Sequence, residues 1–306
     1  MQEIKKIAVL GAGALGATYA ARFFDMDPES VVVIADGERY KRLKAHGFLI
    51  NGEQYDIPVV RPDEGEAPVD LIIVGLKHHH LNQALPDLRQ FVGEHTTIIS
   101  VMNGLDSEDM IGAVYGLEKL LYAIVVGIDA VREGNTVEAK HLGKIIFGEA
   151  DNTTVSARVE QAQALFDRAG IAWQTPQDMM RIMWWKFMVN VGVNQASAVM
   201  RAPYGAFQFS EDAQALMEAL MREVIALARA AEVNLVEQDI AEWYNVLNTL
   251  SPVGKTSMLQ DVLAGRKTEV DIFAGKVVAL GKKYNIPTPA NETVLRIIRV
   301  LEKSEV

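Results

Sequence analysis

The sequence predicts an α/β doubly wound domain over residues 1–175, followed by an all-α helical domain over residues 176–306. Two observations carry this. Short β-branched runs alternate with helical stretches through the first half, the pattern of a mostly parallel sheet. From Ser156 onward the helical period dominates, and β signals end near Gln174.

The first strand is expected in the run KKIAVL, from Lys5 to Leu10, which is followed at once by GAGALGATYAARFF. Gly11, Gly13 and Gly16 then stand in G-x-G-x-x-G register, with Ala12, Ala14 and Leu15 between them and small Ala17 and Ala20 on the next turns. Such glycines permit a tight turn, close approach of backbone to a pyrophosphate, and close helix-to-strand packing, while the helix N-terminus offers N–H groups to phosphate. Residues 11–16 are therefore the expected cofactor loop of a Rossmann-type domain. A second strand, Val31 to Ala35, ends at Asp36, twenty residues past Gly16. An acid there accepts hydrogen bonds from a ribose 2′-hydroxyl and repels a 2′-phosphate. Arg39, Lys41 and Arg42 follow and are able to meet that phosphate, so the expected cofactor is NADPH or NADH, with Asp36 leaning towards NADH. The plainer role for Asp36 is a turn residue before Gly37.

Next come a helix through Arg39 to Ala45, a short strand pair around Phe48 to Val59, a strand at Leu71 to Val74, and a helix from His80. Strands at Thr97 to Val101 and Leu121 to Val126 follow, and then REGNTVEAKHLGKIIFGE reads as two short strands around a Gly-Asn turn at the sheet edge. Ligands of doubly wound sheets gather at the carboxyl ends of strands. Lys77 and Asn103 lie just past two such ends and are candidates for contact with a nicotinamide, a ribose or a substrate carboxylate. The triplet His78, His79, His80 is not expected to hold a metal, because adjacent residues point in different directions and no carboxylate lies at ligand spacing.

In the second half, Lys186, Asn190 and Asn194 are spaced four apart within MWWKFMVNVGVNQASAVM. On an α-helix that spacing puts one ammonium and two amides on one face. Lysine is seldom buried, yet this one is embedded among apolar residues, which points to a polar partner opposite that face; the alternative is a snorkelling lysine beside two solvated asparagines. Further on, Ser257 and Asp261 share a helical face, and Thr268 is expected to cap a new helix with Asp271 as its capping-box partner and Glu269 in the first turn.

Composition sets the outer bounds. The chain of 306 residues is 49% apolar, enough for two cored domains. No apolar run approaches the roughly 20 residues of a membrane span, and no signal peptide is evident, so no membrane partner is expected. The absence of cysteine excludes disulfides and thiolate catalysis and favours a cytoplasmic protein. A net charge of −10 argues against nucleic acid as a partner.

Taken together, GAGALG, the LK at Lys77, the NG at Asn103, the K-x-x-x-N-x-x-x-N helix, and S-M-x-x-D followed by T-E-x-D resemble the ketopantoate reductase (2-dehydropantoate 2-reductase) family, nearly end to end. The resemblance implies NAD(P)H-dependent reduction of ketopantoate to pantoate, on the route to pantothenate and coenzyme A. It implies Lys186 as catalytic acid and Glu269 as its acidic partner. Asn103, Asn190, Asn194, Ser257 and Asp261 become substrate-binding residues, with Lys77, Asn103 and Glu269 also at the cofactor. Many members place an arginine after the second strand, where this chain has Asp36; that departure turns the expectation towards NADH. Hydride delivery to a ketone develops alkoxide charge, which a proton-donating lysine stabilises, and a neighbouring carboxylate keeps that lysine protonated and oriented. The expected partners are a small 2-oxo acid and a second copy of the chain in a homodimer. Related dehydrogenases of another 2-oxo or 3-hydroxy acid are the alternative; a non-enzymatic NAD(P) sensor would not need Lys186, Asn190 and Glu269.

Overall fold

In the computed structural model, residues 3–65 and 67–303 are described. The chain divides into two compact units after Met179.

The first unit runs β1 (Ile7–Leu10), α1 (Ala14–Met26), β2 (Val31–Ile34), α2 (Gly37–His46), β3 (Phe48–Ile50), β4 (Glu53–Tyr55), β5 (Val59–Val60) and β6 (Leu71–Val74). It continues with α3 (His78–Ala84), β7 (Thr97–Ser100), α4 (Ser107–Tyr115), β8 (Leu120–Glu133), β9 (Thr136–Gly148), α5 (Ala157–Arg168) and β10 (Trp173–Gln174). The strands form one sheet in the order β4-β3-β9-β8-β7-β6-β1-β2-β5, with β10 paired to β9. β1 pairs in parallel with both β2 and β6, Ile7 lying opposite Val31 and Leu71. The strand order therefore reverses at β1, and the crevice at the carboxyl ends of β1 and β6 is where such sheets take ligands.

Strand side chains alternate between faces, and here both faces are covered. Ile7, Val9 and Ile73 pack with Ala17, Ala20 and Phe23 of α1 and with Phe166 of α5. Ala8, Leu10, Ile72 and Val74 pack on the other side with Leu81 of α3 and Ile111 of α4. That double coverage is why the short strands read as unbroken apolar runs.

Two expectations for this unit are corrected. Helix α3 begins at His78, not His80, because Lys77 keeps extended backbone and serves as the N-cap position. The segment after Leu120 is not a core strand followed by two short edge strands. β8 and β9 are strands of 14 and 13 residues joined at Gly134 and Asn135, and they lie inside the sheet between β7 and β3. The mid-strand Gly127 and the irregular register at Asp129 and Ala130 break the apolar pattern without ending the pairing.

The second unit is helical throughout its described residues: α6 (Met179–Val189), α7 (Gln195–Met200), α8 (Tyr204–Phe209), α9 (Glu211–Ala230), α10 (Gln238–Leu247), α11 (Ser257–Leu263), α12 (Lys276–Tyr284) and α13 (Pro289–Leu301). Its core includes Phe187, Met217, Leu220, Met221, Val224, Phe273, Val277 and Ile298, all fully buried. Two π turns, Asn190–Asn194 and Asp271–Gly275, join α6 to α7 and lead into α12. Among the described residues, no helix is long and apolar enough to cross a membrane.

Candidate active site

The glycine loop follows β1 directly. Gly11 takes φ +99°, and a Cβ there would meet the carbonyl oxygen of Gly75, just past β6, at 2.6 Å. Gly16 sits against the same turn: its Cβ would lie 1.9 Å from the Gly11 oxygen. Both glycines are thus required by contact between the turn, the neighbouring strand end and α1. Gly13 is the N-cap of α1 and offers no side-chain cap, and the first turn holds no acidic residue. Ala12 is buried, while Ala14 and Leu15 are half-buried. The opening of α1 is therefore an uncapped, uncharged N-terminus at the switch point of the sheet, which suits a pyrophosphate.

Around it stand the other residues of this unit. Asp36 is exposed at the end of β2 and caps α2, its Oδ1 accepting from the N–H of Gly37 at 2.7 Å. It therefore fills the turn role and retains a second carboxylate oxygen beside the strand end. Asp87 lies near enough that its carboxyl is raised, first by burial and then by the Asp36 charge. Arg132, from the far end of β8, is lowered by burial and then by the Arg42 and Arg39 guanidiniums, so three arginines gather beside α2. Sequence reading named Arg39 and Arg42 but not Arg132 or Asp87, since only the sheet topology brings these together. Lys77 is exposed three residues past β6, and Asn103 is half-buried three residues past β7.

Beneath the Asn103 loop lies a buried polar chain. Ser100 Oγ donates to Ser107 Oγ at 2.7 Å, and Ser107 Oγ donates to Glu108 Oε2 at 2.9 Å. Burial pushes the Glu108 carboxyl up to about 7, with the Ser107 hydrogen bond acting in the opposite direction. These three residues clamp both ends of the loop that carries Asn103.

In the second unit, Lys186 is half-buried on α6 between buried Trp184 and Phe187. The continuous α-helix expected through Asn194 is corrected: Asn190–Asn194 form a π turn, whose i→i+5 bonds widen the helix. The two amides still meet, Asn194 Nδ2 donating to Asn190 Oδ1 at 3.3 Å. Asn194 is buried and Asn190 half-buried. Glu269, 9% exposed, stands just before the second π turn, and the two π turns pack on each other. Phe187 and Phe273 bring the same segments together, with ring centroids 6.5 Å apart.

The expected capping box of Thr268 with Asp271 does not form. Thr268 Oγ1 donates to Glu302 Oε1 at 2.6 Å, and Asp271 pairs with Arg299 at 2.7 Å. Glu302, the residue that ends α13, thus takes the place expected of Asp271, a contact that no local pattern encodes. Helix α11 packs against α7 and the first π turn. Ser257 is exposed at its first position, and buried Asp261 pairs with Arg266 at 2.9 Å, which staples the turn after the helix.

Among the described residues, no group of three or more His, Cys, Asp or Glu side chains could hold a metal ion. The structure thus gathers residues 11–16, Asp36, Lys77 and Asn103 at one end of the sheet of the first unit. It gathers Lys186, Asn190, Asn194 and Glu269 around two π turns of the second, with Ser257 and Asp261 on an adjoining helix.

Comparison with known proteins bears on the family and the fold. The family profile described as ketopantoate reductase PanE/ApbA matches residues 7–152, and that of its C-terminal part matches residues 178–302. A 2-dehydropantoate 2-reductase of Aquifex aeolicus (strain VF5) is 25% identical, over 98% of this chain and 97% of that protein. A solved 2-dehydropantoate 2-reductase from Geobacter metallireducens GS-15 is 26% identical with a TM-score of 0.85, covering 96% of this chain and 99% of that one. A D-mandelate dehydrogenase solved with NADH and anilino(oxo)acetate shares the fold at a TM-score of 0.87 and 23% identity, over 97% of this chain and 98% of that one. With both halves matched in order, the chain belongs to the ketopantoate reductase PanE/ApbA family of oxidoreductases.

Proposed function

We propose that this protein uses NAD(P)H to reduce a small 2-oxo acid to the 2-hydroxy acid, with ketopantoate as the first candidate substrate. The observation that carries the reading is the grouping of a half-buried lysine, two touching asparagine amides and a buried glutamate around a pair of packed π turns. π turns within helices recur at functional sites.

The residues of the first unit fit a dinucleotide: the Gly11–Gly16 turn gives backbone access, α1 meets the pyrophosphate, and Asp36 meets the adenosine ribose. When bound, the reduced nicotinamide supplies the hydride that adds to the carbonyl carbon. Lys186 Nζ donates a hydrogen bond to the carbonyl oxygen, stabilises the charge that develops there, and transfers its proton to form the hydroxyl. Solvent then restores the lysine. Glu269 orients the ammonium, while Asn190 and Asn194 donate to the carboxylate and oxygen substituents of the substrate. Ser257 and Asp261 serve the same substrate, and in the first unit Asn103 and Lys77 serve the cofactor.

Asp36, with Asp87 beside it, favours NADH, against which stand Arg39 and Arg42 of α2 with Arg132 of β8 beside them. We read the acidic pair as dominant, because Asp36 itself closes β2, the strand end at which an adenosine ribose would bind. A homodimer and a cytoplasmic site of action belong to the same reading; sedimentation tests the first and cell fractionation the second. The activity is tested by following NADH and NADPH oxidation with ketopantoate and a panel of 2-oxo acids, including an aromatic one. Oxidation with ketopantoate well above the rest supports the assignment; preference for another 2-oxo acid moves the substrate, and no oxidation with any of them removes the function.

A further inference from the structure

Gln195 is fully buried where the first π turn passes into α7. Its Nε2 donates to the carbonyl oxygen of Val191 at 2.8 Å and to Asn291 Oδ1 at 3.1 Å. Its Oε1 accepts from the N–H of Ala274 at 2.8 Å. Val191 belongs to the first π turn and Ala274 to the second, so one amide spans both.

The second π turn explains why an acceptor is needed at that point. In α-helical register the Ala274 N–H would bond to the carbonyl of Val270. That oxygen accepts instead from the N–H of Gly275 at 3.0 Å, the i→i+5 bond. The Ala274 N–H is buried and needs another partner, and Gln195 provides it. The amide cannot be reversed, since its NH2 would then face the Ala274 N–H. Asn291, also fully buried, extends the chain: its Nδ2 donates to Glu223 Oε2 at 2.7 Å, and Glu223 accepts from the backbone N–H groups of Ala290 and Asn291 at 2.8 and 3.0 Å. Gln195 is thereby anchored to α9 and to the start of α13.

We infer that Gln195 is a positioning residue, an inference that rests on the 2-oxo acid reduction proposed above: its buried amide holds the two π turns in register, and with them Asn190 and Asn194 on one side and Glu269 on the other. It touches neither substrate nor cofactor in this role.

The test compares full-length wild type with Gln195→Met and Gln195→Glu. Methionine keeps the volume and loses both polar ends. Amide hydrogen exchange should quicken about tenfold or more in both segments, 190–195 and 269–275, and stay unchanged in the sheet of the first unit. With the 2-oxo acid that wild type reduces, kcat should fall about 10- to 100-fold, the scale of a small misplacement of reacting groups, while dinucleotide affinity stays within about twofold. In Gln195→Glu the neutral carboxyl retains one donor and one acceptor, whereas the carboxylate retains acceptors only. Its kcat should therefore approach wild type at low pH and fall as the side chain ionises, a profile wild type lacks. Exchange quickened in one turn only, or in neither, overturns the inference, as does a Gln195→Glu pH profile identical to that of wild type. Should the methionine variant not fold, Gln195→Glu measured at low and high pH carries both readouts. A wild type inactive on every 2-oxo acid would end the proposed function, and the exchange data would then decide the clamp by themselves.

Discussion

Gly16 lies so close to Gly11 that a methyl group on it would overlap the Gly11 carbonyl oxygen, at 1.9 Å. The neighbour is backbone and cannot swing aside. Gly16→Ala should therefore displace α1 from β1 and cost about 1–3 kcal/mol, the usual scale for overpacking, with dinucleotide affinity weakened at least about tenfold. Gly13→Ala is the control: its Cβ would find only the Gly75 oxygen, at 3.7 Å, so stability should hold while phosphate approach suffers. Denaturant titration and dinucleotide titration of the two variants check this; equal stability loss in both would refute it.

The Asp36 carboxylate sets the second expectation. Wild type should show the higher kcat/KM with NADH, and Asp36→Arg should move preference towards NADPH by about 1–3 kcal/mol. A clear wild-type preference for NADPH would mean that Arg39, Arg42 and Arg132 outweigh the acidic pair.

In the proposed mechanism Lys186→Ala removes both the proton donor and the cation at the developing alkoxide, so kcat should fall about 10²–10⁴-fold with cofactor affinity nearly unchanged. Glu269→Ala should also lose rate. Because Glu269 is proposed to act through the Lys186 ammonium, the double variant should lose much less than the sum of the single losses in activation free energy. Strict additivity in steady-state kinetics would separate them.

Glu108 makes stability depend on pH. Its carboxyl stands at about 7 in the folded chain against an ordinary 4.5, so the native state holds the extra proton between those values. Stability should decline as pH rises from about 4.5 to about 7, by up to roughly 3 kcal/mol. Glu108→Gln can still accept from Ser107 and carries no charge, so it should flatten this decline and be the more stable protein at pH 8. Chemical denaturation across that range decides; an unchanged slope would show that Glu108 ionises without penalty.

Much of the nucleotide-binding unit was legible because its signals are local. A strand ending in Gly11, a helix opening on Gly13 and Gly16, and an acid closing β2 each sit within a few residues of what they shape. The π turns were not legible: NVGVN continues the apolar helical pattern of α6, and an i→i+5 register has no residue signature of its own. Nothing in the local run SEDMI marks Glu108 as buried, and only the docking of α4 on the sheet buries it. Thr268 met Glu302 rather than Asp271 for the same reason, a long-range contact outcompeting a short-range one.

Strand β9 spends its partners unevenly. Leu49 and Ile50 of β3 pair with its beginning, while Trp173 and Gln174 of β10 pair with Ile145 and Ile146 near its end. A chain cut soon after β9 would leave Ile145 and Ile146 on an open apolar edge, a template for pairing with other chains. A stand-alone nucleotide-binding fragment must therefore extend through Gln174, and fragments ended near Gly148 should aggregate even though every residue of the glycine loop, Asp36, Lys77 and Asn103 is present in them.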